Sequence, residues 1–111
     1  MIDALIAGRL YGKPAQRTAS SGNAFATAKV RVPARGGESL FVNVIAFDDA
    51  AVTALLALAD GDAVALAGEL TPKVYTDKEG KERPSLDLLA HVVSSEYHVQ
   101  RKRQAMRDQA A

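Results

Sequence analysis

The chain has 111 residues and a formal net charge of +1, enough for one domain whose core needs neither metal nor disulfide to hold it. It contains no cysteine, which excludes disulfide frameworks, thiolate nucleophiles and cysteine-ligated zinc, and no apolar run approaches the ~18 residues of a membrane span. Six aromatic residues, Tyr11, Phe25, Phe41, Phe47, Tyr75 and Tyr97, stand against twenty-one alanines and no tryptophan, so few side chains are available to stack on a flat ligand.

Ile2 to Leu10 opens the chain as an apolar strand, and Gly8 inside it predicts a bend. The start, Met1-Ile2-Asp3-Ala4, lacks the basic stretch of a secretion signal, so the expected location is the cytoplasm. Tyr11 to Asn23 carries Gly12, Pro14, Ser20, Ser21 and Gly22 and reads as a loop. Phe25 to Val32 alternates with period two. Ala26, Ala28, Val30 and Val32 share an apolar face, and Phe25, Thr27, Lys29 and Arg31 share the other. After the short connection Pro33 to Gly37, Leu40 to Phe47 forms a third strand that is apolar on both faces and therefore central.

Asp48-Asp49 is expected to open a helix, with an aspartate side chain accepting from the free N–H groups of the first turn. Val52, Leu55, Leu56 and Ala59 follow the spacing of one buried stripe, and Gly61 suits the left-handed residue that ends a helix. Ala63 to Tyr75 is a long strand with a bulge at Gly68. Asp77 to Glu82 is a charged hairpin tip, and Pro84 to Val93 returns as the fifth strand. From residue 96 the chain turns polar and basic, with Arg101-Lys102-Arg103 and Arg107. This predicts a domain over 1–95 and a basic C-terminal tail over 96–111.

Five strands bent at glycines, with one helix between the third and fourth, make an all-β chain on the plan of the five-stranded Greek-key OB-fold barrel. That fold does not name an activity. The charge adds one hint. Residues 1–36 hold six Lys/Arg and one acid, whereas residues 37–72 hold six acids and no Lys/Arg, so a near-neutral total is compatible with a basic face.

The motifs in order resemble the bacterial single-stranded DNA-binding protein (SSB) family over roughly residues 2–95. Leu5-Ile6-Ala7-Gly8-Arg9-Leu10 looks like its first strand, and Gly12-Lys13-Pro14 with Arg17 looks like the segment that follows. Ser20-Ser21-Gly22-Asn23-Ala24-Phe25-Ala26, Phe41-Val42-Asn43-Val44-Ile45-Ala46-Phe47 and Asp60-Gly61-Asp62-Ala63-Val64-Ala65-Leu66-Ala67-Gly68-Glu69-Leu70 are similar to later blocks. Tyr75-Thr76-Asp77-Lys78-Glu79-Gly80-Lys81-Glu82-Arg83 is similar to the family's "W-x-D-x-x-G-x-x-R".

The resemblance implies a non-enzymatic binder of single-stranded DNA with little sequence preference, acting in replication, recombination or repair and associated with the nucleoid. Phe41, Phe47 and Tyr75 take places where the family stacks bases. The competing reading is burial, the usual fate of a strand phenylalanine. Lys29, Arg31 and Lys73, with Arg9, Arg17, Arg35 and Arg83, are the candidate phosphate contacts, against the competing reading of an ordinary solvated surface. A homo-oligomer, tetramer or dimer, is implied, with replication or recombination proteins as further partners.

Two departures stand out. The connection Pro33 to Gly37 has no aromatic where the family usually stacks another tryptophan, and the chain ends without an acidic tip. This form is similar to a primosomal PriB-like, phage or mobile-element paralogue. The alternative function is an OB-fold protein-interaction subunit of a primosome or replication complex. His91 and His98 lack a third ligand at metal spacing, and no nucleophile has a partnered base, so neither metal, cofactor nor catalysis is expected.

Overall fold

The computed structural model describes residues 1–95 and 103–108. Six strands and a helix follow in the order β1 (Ile2–Leu10), β2 (Ala15–Thr18), β3 (Ala24–Pro33), β4 (Ser39–Ala46), α1 (Asp49–Leu56), β5 (Ala63–Thr76) and β6 (Glu82–Ser95). They form one sheet in the order β1-β5-β6-β4-β3-β2, and β1 also pairs with β3 at Arg9 and Leu10. That last pairing closes the sheet into the barrel expected, with the helix between its third and fourth long strands.

The bend at Gly8 has a steric cause. As β1 leaves β5 for β3, a Cβ at Gly8 would collide with the carbonyl oxygen of Arg31. Gly68 is the matching device on β5. The β5–β6 register shifts between Ala67 and Gly68, and a Cβ there would strike the carbonyl of Leu89. Both glycines let long strands curl tightly around a small core.

The core is built from the inward residues of every long strand, including Leu10, Val30, Val42, Leu66 and Leu88, and is covered at one end by Val52, Leu55 and Leu58 of the helical segment. Ala26, Ala46, Ala51 and Ala90 fill the spaces where larger side chains would not fit. Leu58 is buried and Ala59 exposed, the reverse of the stripe expected, because α1 ends at Leu56.

The structure corrects three further local expectations. The segment read as a loop contains β2, so there are six strands and not five. Ala15–Thr18 has no apolar alternation and forms a strand by pairing with β3, Ala15 opposite Thr27 and Thr18 opposite Ala24. Asp48 occupies the N-cap position but its side chain caps nothing. Instead its carboxylate lies 3.0 Å from Nδ1 of His91. Gly61 does not end α1. It sits with positive φ in the following turn, where Asp60 and Asp62 do structural work. Asp60 Oδ1 accepts from the Gly12 N–H at 2.8 Å and Asp62 Oδ2 from the Ala59 N–H at 2.8 Å. Residues 103–108 are helical and exposed, while Tyr97, His98, Arg101 and Lys102 lie outside the described residues.

Candidate nucleic-acid interface

Strand alternation assembles a continuous outer face. On β3, Phe25, Thr27, Lys29 and Arg31 point away from the core, and the β3–β4 register sets Ile45 opposite Thr27, Asn43 opposite Lys29 and Phe41 opposite Arg31. The parallel β4–β6 pairing adds Asp87 beside Asn43. The β5–β6 hairpin adds Lys73 opposite Ser85 and Tyr75 opposite Arg83. Lys73 and Tyr75 thus share a face, as their spacing requires.

A groove of about 470 Å³ runs across this face, lined by Phe41 and Tyr75 with Lys29, Arg83, Asn43 and Ser85. Phe41 is 42% exposed, Phe47 52% and Tyr75 53%, so none of the three is a core residue. Two side chains approach the Phe41 ring. The Tyr11 ring meets it edge-on at 5.2 Å between centroids, and Lys29 Nζ lies 5.9 Å from its centroid, within range of a cation–π contact. Phe47 pairs instead with Phe25 at 5.5 Å, at the far end of β4, and Arg17 sits opposite Phe25 on β2.

The polar groups between the aromatics are ordered. Lys73 Nζ lies 2.7 Å from Asp87 Oδ2. The Asn43 amide nitrogen donates to Asp87 Oδ1 at 3.2 Å and to Ser85 Oγ at 3.3 Å. The Lys73 ammonium, and after it the Asn43 amide, hold the Asp87 carboxyl below the usual carboxylate range. At the hairpin tip, Asp77 accepts from Arg83 Nε at 3.0 Å and from the N–H groups of Glu79 and Lys81, each at 2.9 Å. These bonds, the Arg83 bond foremost, lower the Asp77 carboxyl, and Asp77 in turn raises Arg83. Arg83 is therefore aimed into the groove by a carboxylate behind it.

The remaining basic residues are dispersed. Arg31 lies next to Phe41 across the ladder and donates from Nε to Ser39 Oγ at 3.1 Å. It also borders a second groove of about 540 Å³, together with Arg9 and Ala63. Arg9 donates from Nη1 to the Gly61 carbonyl at 3.0 Å, away from Phe41 and Tyr75. Arg35 is exposed at the β3–β4 turn and borders neither groove.

A partly apolar groove between two exposed rings, edged by Lys29 of β3 and Arg83 of β6, suits an unpaired base with its phosphates alongside. The single-strand binding protein family model matches residues 1–96. The chain belongs to that family. Among solved structures it is similar to the small single-stranded DNA-binding protein from Streptomyces coelicolor, with a TM-score of 0.68 and 25% identity, over 86% of this chain and 94% of that one. The mitochondrial single-stranded DNA-binding protein Rim1 from S. cerevisiae shares the fold at a TM-score of 0.65 and 17% identity, again over 86% and 94%. No curated protein matches.

At and around the groove lie residues that the sequence reading did not single out as candidates. Phe25 was signalled, since it alternates with Lys29 and Arg31 on one strand face. Tyr11 was not, because it follows β1 without periodicity and is fixed only by a backbone bond from its N–H to the Lys29 carbonyl at 2.8 Å. Asn43, Ser85 and Asp87 meet only through the β4–β6 crossover, which no local pattern encodes. Among the described residues no cluster of His, Asp or Glu could hold a metal ion, and no helix is long and apolar enough to cross a membrane.

Proposed function

We propose that this SSB-family chain binds single-stranded DNA with little sequence preference, protecting or organising it during replication, recombination or repair. The observation that carries the reading is the juxtaposition of exposed Phe41 and Tyr75 with Lys29 and Arg83 in one groove. Bases stack on the two rings, each stack contributing ~1–3 kcal/mol regardless of base identity. Phosphates lie on Lys29, Arg31 and Arg83, with Lys73 available when it exchanges Asp87 for a phosphate. Arg17 and the Phe25–Phe47 pair extend the path toward β2. Duplex DNA hides its base faces and cannot use the rings.

The test is fluorescence anisotropy of labelled oligo-dT and of a duplex of equal length, at low and moderate salt. Tight binding of the single strand that weakens with salt, with much weaker duplex binding, is the expected result. Equal affinity for both, or no binding at micromolar protein, overturns the reading.

The chain also assembles with itself through β1. Residues Ile2 to Arg9 pair with β5 on one edge only, and the β3 pairing takes up Arg9 and Leu10 alone. Among the described residues, the opposite edge from Ile2 to Gly8 is thus a row of unpaired backbone groups. A two-fold antiparallel pairing of β1 with a second copy has these seven residues to use, because β3 already occupies the edge at Arg9 and Leu10. The register centred on Leu5 uses all seven and sets Leu5 opposite itself, Ala4 opposite Ile6 and Ile2 opposite Gly8. Leu5 is 77% exposed and Val92 58%. With Ala7, Ala65 and Ala67 they form a flat apolar face beside that edge, suited to a further pair of copies.

A further inference from the structure

Stacking explains why the groove holds a base but leaves Asn43 without a task. We infer that Asn43 reads the edge of the stacked base through a fixed carbonyl, biasing the site toward cytosine and adenine over uracil and thymine. This inference rests on the single-stranded DNA reading above and names the base class that the same groove favours.

The orientation of the Asn43 amide is set from Lys73 outward. The Lys73 ammonium has only hydrogens to give, and it lies 2.7 Å from Asp87 Oδ2. The other oxygen of the ionised carboxylate, Oδ1, can only accept, so the Asn43 group facing it at 3.2 Å must be the NH₂. Ser85 Oγ takes the same nitrogen at 3.3 Å. With its nitrogen bound on both counts, the Asn43 amide cannot flip, and its Oδ1 is the atom left for a ligand. Asn43 and Ser85 both line the groove between Phe41 and Tyr75.

Asn43 lies two residues beyond Phe41 on the same face of β4, about 6.7 Å along the strand. A base lying flat on the Phe41 ring therefore brings one edge over the Asn43 amide. The chemistry at that edge follows. Cytosine offers N4–H₂ and adenine N6–H₂ as donors to a carbonyl oxygen, whereas uracil and thymine present the O4 acceptor at the corresponding position. A fixed acceptor at that position takes the amine of the first pair, whereas uracil and thymine meet it with O4 and must slide along the edge to offer N3–H instead. The bias is modest, because one neutral hydrogen bond at a solvated edge changes affinity by about 2- to 10-fold. It therefore sits on top of a binding mode that accepts every base.

Oligo-dC and oligo-dU of equal length, at neutral to mildly alkaline pH, form the cleanest comparison. Both are pyrimidines with weak self-stacking, and they differ at the edge concerned. The readout is the ratio of their affinities, measured by competition against a labelled strand. The wild-type chain is expected to prefer oligo-dC by about 2- to 10-fold. Asn43→Leu, which keeps the volume and removes the amide, should bring the ratio to about one. Asp87→Asn gives a second, opposite signal. Lys73 keeps the new amide's oxygen, so its NH₂ takes the place of Oδ1. Asn43 must then turn its carbonyl toward residue 87 and its NH₂ toward the base, and the preference should shift to oligo-dU. Because the effect is a ratio, any general change in affinity from the lost charge cancels.

A wild-type ratio near one, a ratio unmoved by Asn43→Leu, or an Asp87→Asn ratio equal to the wild-type value each overturns the inference while leaving single-strand binding intact. Failure of both oligonucleotides to bind overturns both readings together.

Discussion

At the scale of single residues, the proposed stacking site rests first on Phe41. Its ring is exposed enough to take a base and is braced by Tyr11 and Lys29, which removes part of the ordering cost that a free ring would carry. Phe41→Ala is expected to weaken single-strand binding by ~1–3 kcal/mol, measured by anisotropy. Thermal stability should change little, because the residue lies outside the core. Unaltered affinity would remove Phe41 from the site. Its place was legible from the motif alone, but its exposure was not. β4 reads as apolar on both sides, and only the structure shows that Val42, Val44 and Ala46 enter the core while Phe41 faces out. The same alternation that made β3 easy to read, apolar against basic, is absent from β4 because its outer face carries Phe41 and Ile45 beside Asn43, as a surface proposed to hold partly apolar bases would. A ligand of mixed polarity erases the contrast on which periodicity depends.

At the scale of elements, the β5–β6 hairpin is the part of the site that its own sequence specifies best. Asp77 gathers two backbone N–H groups and the Arg83 guanidinium, and Gly80 takes the positive φ the turn needs. The spacing of Asp77, Gly80 and Arg83 is thus a local structural code whose product is an arginine held beside Tyr75. If Asp77 acts through Arg83, the two substitutions share one effect. Asp77→Ala and Arg83→Ala should each weaken binding, and the double variant should lose clearly less than the sum of the two. Strict additivity in the four affinities would show that Asp77 serves only the turn. β2 is the contrasting element. Ala15, Gln16, Arg17 and Thr18 are a strand because β3 offers them a backbone edge, not because of any pattern they carry, and Arg17 reaches Phe25 only through that pairing. α1 shows a third case, in which its buried stripe was readable but its end was not. Leu58 turns inward after the helix has stopped, so a stripe extended at helical spacing put Ala59 in its place.

At the scale of the whole molecule, the segregation of charge along the chain acquires a spatial meaning. The basic N-terminal third supplies the Lys29–Arg31 face of β3. Two acids of the next third, Asp60 and Asp62, are spent on tying turns together. Arg9 leaves the groove and sits opposite Arg31 across the β1–β3 ladder, a like-charge pair that is unfavourable unless an anion approaches. The β1 pairing described above leaves this pair outside the shared ladder and centres on Leu5, and it makes a prediction about register and not only about mass. Leu5→Arg should weaken self-association, since it sets two like charges against each other at the centre of the ladder. Leu5→Glu should do the same by setting acid against acid. An equal mixture of the two variants sets arginine opposite glutamate and should recover the assembly. Light scattering over a range of concentrations reads the outcome for the wild-type chain, each variant and the mixture. Recovery in the mixture requires that residue 5 faces itself across copies. Loss in either variant without recovery in the mixture would place the contact elsewhere, and a wild-type chain that stays monomeric throughout would remove the β1 assembly altogether.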